Sequence, residues 1–522
     1  MVLNERRVRI ALPVVTAMAL CFASFACTRS DQEGNNTALA EKPPSDTTTQ
    51  VPPATPTRTT NPPTTTPTET ATSRTPRSPP TPDQARELPK IRDYYETHVV
   101  RYGETLNSIA YKYGVGVQQI QLENNIFDPN VLSVGIVLSI PPPIPQPPGP
   151  GSKLIPDSEV VFGPATTDLE RIYSSIDENS YLRFYVEIVD GFLLDGPAIV
   201  QKVAESYSIN PRILIAVLHQ QSGWVEGDVS DAVVTDYPIG WYQQGREGLF
   251  SQLSWAANEL NRAFYRWKSG WAGPYIFYDG RVVPPGIGVN AGTVAIQHLF
   301  SLLYSLDTWR DVVGDYGFAI TYKSLFGDPF DFSVEPLLQE DLVQPDLELP
   351  FEINRTWSFT GGPHSAFGNS AAWAALDFAP PGNGVGCMTS NEWVVAAADG
   401  VITRSDSGQV SQDLSGDGFE QTGWSLIYLH IETRDRVEAG IYLRAGDRIG
   451  HPSCEGGVST GTHVHIARKY NGVWIEAGGV IPFNLGGWIA ASAGTSYNGS
   501  LTLGGDTLLA CACRASYNQI SP

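Results

Sequence analysis

Basic residues are scarce in this chain: 34 of its 522 residues are Lys or Arg against 55 Asp or Glu, a formal net charge of −21. A surface so poor in cations repels phosphate backbones, which argues against nucleic acid as a partner. Cysteine is sparse too. Cys21, Cys27, Cys387, Cys454, Cys511 and Cys513 include no CxxC pair, which excludes a four-thiolate zinc ribbon. Plentiful instead are 50 Gly and 40 Pro, which belong in turns and linkers, and 12 Trp, 22 Tyr and 20 Phe, enough for folded cores. The length exceeds what one core organises, so several domains are expected.

Arg6, Arg7 and Arg9 precede an apolar run from Ile10 to Ala26, so residues 1–27 read as an export signal. Ser24-Phe25-Ala26-Cys27 resembles a bacterial lipobox with Ser where Leu is usual. That resemblance implies a lipid anchor on Cys27 and attachment to a membrane; cleavage after Ala26 with release, or an uncleaved span, are the alternatives. Each places the rest of the chain outside the cytoplasm, in the cell envelope or secreted. Residues 28–95 read as a stalk, because 12 Pro and 15 Thr between Pro43 and Pro82 favour extended, solvated backbone.

Residues 96–142 change character. A short apolar strand at His98–Tyr102 leads through Gly103-Glu104-Thr105-Leu106 into helical spacing at Ile109, Ala110 and Tyr113, with Thr105 placed to cap the helix. A second helical segment carries Val117, Ile120 and Leu122 before Asn124-Asn125, and Gly135–Pro141 reads as a closing strand. This βααβ order, with its turn, paired Asn and final strand, resembles a LysM domain, Glu104 standing where Asp is usual. The resemblance implies binding of N-acetylglucosamine glycans such as peptidoglycan through Gly103, Glu104, Thr105 and Leu106 and the segment from Asn130 to Leu132.

After a Pro-rich linker at 143–165, residues 166–333 show helical apolar spacing. Tyr207–Leu218 running into Gln221-Ser222-Gly223 resembles the catalytic-helix segment of lytic transglycosylases, implying an α-helical, lysozyme-like domain. There the residue before Ser-Gly is a glutamate. Gln221 cannot donate the proton that glycosidic cleavage needs, so a scaffold retaining a glycan groove is expected rather than a muramidase.

An acidic linker at 334–350 precedes a C-terminal domain, 351–522, whose short strands broken by Gly turns predict a mainly antiparallel β fold. Five of the eight histidines, His364, His430, His451, His463 and His465, lie here. In a strand over Thr462–Ile466 the rings of His463 and His465 face one side, and Val464 and Ile466 the other. Asp377 sits among apolar neighbours, where an unpaired carboxylate would be costly. His364 follows Gly361-Gly362-Pro363 in an expected turn. Two His, one Asp and a water would complete a catalytic zinc site.

Gly-Gly-Pro-His364, Leu376-Asp377-Phe378-Ala379, Tyr428-Leu429-His430 and Ser459–His465 together resemble the lysostaphin-type zinc metallopeptidases, within them the beta-lytic branch, over roughly Trp357 to Ile489. The resemblance implies His364, Asp377 and His465 as ligands of Zn²⁺ and His463 as an acid/base. His430, expected on the strand face of Tyr428, would steady His463 or the tetrahedral intermediate. The four C-terminal thiols allow three pairings, of which Cys387 with Cys454 is preferred. Asp413–Gly418 resembles the start of a calcium loop, with Trp424 in place of the closing Glu; an ordinary acidic turn is the other reading. The expected whole is an exported endopeptidase that cuts peptide bonds of peptidoglycan, with LysM raising local substrate concentration. The alternative is a non-catalytic wall-binding protein that regulates other hydrolases.

Overall fold

A computed structural model of the chain describes residues 82–226, 229, 232–271, 273–369, 372–382 and 384–522. The export signal, Cys27 and most of the stalk lie outside the described residues, among which no helix is long and apolar enough to cross a membrane.

The first module is β1 (Glu96–Val99), α1 (Leu106–Tyr113), α2 (Val117–Asn124) and β2 (Val137–Ile140), with β1 and β2 antiparallel. Thr105 caps α1 in a reciprocal box with Ser108. The first of the paired asparagines is structural: Asn124 bonds both backbone groups of Ser139 at 2.7 and 2.8 Å, fastening β2 to the end of α2. The module does not hang on a free tether. Tyr111 lies under the guanidinium groups of Arg262 and Arg266, at 5.6 and 4.9 Å, and Gln118 N donates to Tyr278 O at 3.2 Å.

The middle of the chain is helical, built on α3 (Gly196–Tyr207), α4 (Pro211–Ser222), α5 (Leu249–Lys268), α6 (Ala291–Ser301) and α7 (Phe318–Phe326). Asn210 caps α4 ahead of Pro211, and Gly223 ends it at φ +70°, a left-handed stop that glycine adopts without strain. The composition-based linkers are not mere connectors. Leu154, Ile155, Val160, Val161 and Phe162 are core residues, and the fully buried Glu159 pairs with Arg212 at 2.5 and 2.9 Å. Leu337, Leu347 and Leu349 of the second linker are buried as well, and Leu88 of the expected stalk packs on the helical core.

The C-terminal domain is built on β3 (Trp357–His364), β4 (Ala375–Ala379), β5 (Gly400–Asp406), β6 (Gln409–Asp413), β7 (Trp424–Leu429), β8 (Tyr442–Leu443), β9 (Val464–Tyr470), β10 (Val473–Trp474) and β11 (Gln519–Ile520). The sheet runs β8-β5-β6-β7-β9-β4-β3-β11, antiparallel throughout, with β10 folded back onto β9. Alternation gives it two apolar faces. Leu376, Phe378, Leu426, Tyr428, Val464 and Ile466 enter one core, while Ala375, Ile427, Leu429, Ala467 and Trp474 join the core of the helical domain. The helical unit therefore shares a continuous interior with the sheet. Trp474 shows how closely: its backbone N–H donates to Tyr265 Oη at 2.9 Å and its indole N–H to Tyr207 O at 3.2 Å.

Candidate metal centre

The register of the central strands builds the site. His465 on β9 stands opposite Asp377 on β4, and Asp377 opposite Gly361 on β3. His364 is the last residue of β3 rather than part of a turn, and shifts in register between Phe359 and His364 re-aim it inward. Gly361 is required at its position, since a Cβ there would lie 2.4 Å from Asp377 Oδ2. Gly361→Ala is expected to displace that carboxylate and lower metal retention about 10–100-fold, the scale seen when a ligand's support is removed; metal content after dialysis measures it.

Three ligand atoms converge. His364 Nε2 and His465 Nδ1 are 3.0 Å apart, and each lies 3.2 Å from Asp377 Oδ1. The outer ring nitrogens are occupied: His364 Nδ1–H donates to Gly362 O at 2.8 Å and His465 Nε2–H to Ala366 O at 2.9 Å. Those bonds leave the inward nitrogens with bare lone pairs, so three electron-rich atoms face one another. Asp377 Oδ1 is buried and has no hydrogen-bond donor. A divalent cation satisfies all three atoms at once, and two imidazoles with one carboxylate suit zinc.

Two further histidines line the approach. His463 Nδ1–H donates to Gly461 O at 2.7 Å and His430 Nδ1–H to Glu455 O at 2.7 Å, leaving Nε2 of each bare. His463 Nε2 is 3.6 Å from Asp377 Oδ1, and the His430 and His463 rings are 4.4 Å apart. His430 gets there by a different route from the one its spacing suggests. Strand β7 ends at Leu429, and His430 adopts φ +64°, which turns its ring to the metal side while Tyr428 points into the opposite core. Burial, aided by His463 and His465, holds the His430 imidazole neutral down to about 3. Burial also lowers His465. Asp377 is held well below the usual carboxylate range: burial opposes its charge, but the surrounding imidazoles outweigh it. Cys387 and Cys454 form the preferred disulfide beside this wall, and Cys511 pairs with Cys513.

Residues 98–141 match the model of the LysM domain and residues 153–339 that of the LasA N-terminal domain. Protease LasA of Pseudomonas aeruginosa is 25% identical over 329 residues, 59% of this chain and 74% of that protein. The beta-lytic metalloendopeptidase of Achromobacter lyticus is 29% identical over 160 residues, 29% of this chain and 40% of that protein. Through these relatives the chain resembles the lysostaphin-type metallopeptidases, and it carries a LysM domain. Among solved structures, the M23 metalloprotease pseudoalterin from deep-sea is 26% identical, covering 32% of this chain and 96% of that one at a TM-score of 0.27.

The helical stretch thus matches the LasA N-terminal domain, over a range that reaches into both segments whose composition suggests linkers. Sequence reasoning missed Tyr497, which stacks on His364 at 4.2 Å and 20° and whose backbone bonds Gly362 and Pro363. No motif surrounds it; only the C-terminal hairpins bring it there. His451, left without a role, is a buried support whose Nδ1–H donates to Glu392 O at 2.8 Å. Asp413 accepts from Ser415 and Gly418, and Asp417 from Phe419 and Thr422, so that segment is an acidic turn closed by its own hydrogen bonds.

On the LysM surface, Gly103 adopts φ +85°. Glu104 accepts from Arg101 N at 2.7 Å and meets His98 Nε2 at 2.7 Å, Thr105 caps α1, and Leu106 is in the core. Their polar and apolar side chains are committed to the fold. Asn130 is exposed and Leu132 half-buried. Tyr102 and Phe127, exposed at 94% and 99%, are aromatic surfaces that the motif does not include.

Proposed function

We propose that this chain is a zinc metalloendopeptidase that hydrolyses peptide bonds in the stems or cross-bridges of peptidoglycan. The observation that carries the reading is the convergence of His364 Nε2, His465 Nδ1 and a donorless Asp377 Oδ1 on one point. Zinc, when bound there, supplies a Lewis acid that polarises the scissile carbonyl and brings the pKa of a water to about 7.

The remaining chemistry belongs to side chains. His463, with Nδ1–H tied to Gly461 O, offers a bare Nε2 as general base and afterwards returns the proton to the leaving amine. His430, neutral and also bare at Nε2, stands beside it as an acceptor that steadies His463 while that ring carries the proton. Tyr497 limits the tilt of His364.

The LysM module would hold glycan through Gly103, Glu104, Thr105, Leu106, Asn130 and Leu132, and an anchor at Cys27 would keep the enzyme at the membrane face. For the helical domain we retain a lysozyme-like scaffold without chemistry. Its support is that Gln221 stands at the position of the acid and accepts from Tyr304 Oη at 2.9 Å. Mass spectrometry of digested sacculi tests the whole. New amino termini are expected; new reducing ends or anhydro-sugars would transfer the chemistry to the helical domain, and intact muropeptides would leave a wall-binding protein.

A further inference from the structure

One segment of the peptidase domain is held from two sides. On the inner side, Ala366 accepts from His465 Nε2 at 2.9 Å. On the outer side the next three residues meet the helical domain. Phe367 sets its ring edge-on to Tyr207, at 4.9 Å and 80°. Gly368, at φ +63°, runs so close that a Cβ there would lie 2.7 Å from Asn258 Oδ1 and 3.0 Å from Tyr207 Cε1. Asn369 then exchanges two hydrogen bonds with Asn258 of α5: its backbone N–H donates to Oδ1 at 3.1 Å, and Asn258 Nδ2 donates to Asn369 Oδ1 at 2.8 Å. Arg262, one turn further along α5, donates to the same Asn369 oxygen at 3.4 Å.

We infer that Asn258 is a positioning residue for the metal centre, acting from the helical domain through Asn369 and the Ala366 carbonyl on the tautomer of His465. The inference rests on the metal reading of the site. His465 can serve as a ligand only through Nδ1, because its Nε2 faces away toward Ala366. The Ala366 carbonyl keeps the proton on Nε2; if it drifts, the proton is free to occupy Nδ1 and the ligand lone pair is lost. A pair of hydrogen bonds between two amides sets both the distance and the plane of the outer end of this segment. Gly368 permits the close approach, and the Tyr207–Phe367 contact keeps the middle of the segment from rotating. Nothing in the Gly-Gly-Pro-His or Leu-Asp-Phe-Ala motifs points to α5, because the connection exists only where two domains meet.

The test uses the full chain, loaded with Zn²⁺ or Co²⁺, as wild type, Asn258→Ala, Asn369→Ala, the double variant and Asn258→Asp. Zinc release to excess chelator and the visible spectrum of bound Co²⁺ are read alongside thermal unfolding of the metal-free proteins. Loss of an outer support of a ligand typically costs about 10–100-fold in affinity, and this support lies one link further out, so each alanine variant is expected to release zinc about 3–10-fold faster. The double variant should be no faster than either single one, since both remove the same contact. Asn258→Asp should release zinc more slowly than Asn258→Ala, because the new carboxylate still accepts from the Asn369 backbone N–H. Unchanged release in the alanine variants, additive effects in the double one, or a matching fall in metal-free stability overturns the inference alone. A wild type that takes up neither metal overturns the metal reading, and the inference with it.

Discussion

His465→Ala is expected to abolish metal binding and peptidoglycan hydrolysis together while leaving glycan retention intact. The substitution removes one of the two inward lone pairs and strands the Ala366 carbonyl that its Nε2–H satisfies. His364 and Asp377 alone make a two-point site with the carboxylate still buried. Disturbing a ligand's support costs about 10–100-fold in metal affinity, so loss of the ligand itself should exceed about 100-fold, and turnover should fall at least as far. Metal content after dialysis, amino termini released from sacculi and co-sedimentation with sacculi read the three properties separately. Retention should persist because the LysM core is separate from that of the sheet. Full metal occupancy in the variant would remove His465 from the ligand set.

Arg404→Met should have the largest effect on stability. Arg404 on β5 lies 3.2 Å from Glu420 and 3.5 Å from Glu205 of α3, and Lys469 Nζ reaches Glu420 at 3.0 Å. This charged cluster is sealed where the helices meet the sheet. Breaking such a buried network by removing one partner costs about 3–5 kcal/mol, because the remaining charges stay buried. Denaturant unfolding would measure it. The pH dependence has a definite sign. Burial opposes the charge on Glu420, but Arg404 and Lys469 prevail and hold it at about 2 against an ordinary 4.5. A depressed carboxylate stabilises the fold fully above pH 4.5 and loses that contribution as pH falls toward 2, here at most about 3 kcal/mol. Glu205 is shifted the other way, upward, by burial, so its contribution is complete below 4.5 and wanes as pH rises. Without Arg404, Glu420 should titrate higher, and acid unfolding should begin at a higher pH than in the wild type.

What could be read from the sequence follows from how local the cause is. The alternation at Thr462–Ile466 sets His465 apart from Val464 and Ile466 because β9 is a regular strand from Val464 onward, and the bridge of His463 to Ser453 extends it by one residue. The same rule fails at His430, where one left-handed residue ends the strand and reverses the side. The LysM elements were legible because cap, turn and strand each carry their own residues. Proline content misleads at 143–165: it marks irregular backbone but not burial, and Glu159 finds its cation only through folding. Strand β7, Trp-Ser-Leu-Ile-Tyr-Leu, is apolar on both faces and thereby announces two covering layers. It cannot announce that one of them is α3 and α5. For the same reason Tyr497, Asn258 and Arg404 were invisible: each matters through partners distant in the chain.

Under the proposed function, the seating of Tyr111 on Arg262 and Arg266 has a consequence for where the wall is cut. A swinging arm would let scission fall anywhere within its reach. A clamp bolted to the same frame as the cutting edge would behave as a caliper, and the severed bond would stand at a constant offset from the captured sugar. On a periodic polymer the fragments would then inherit the spacing of the tool.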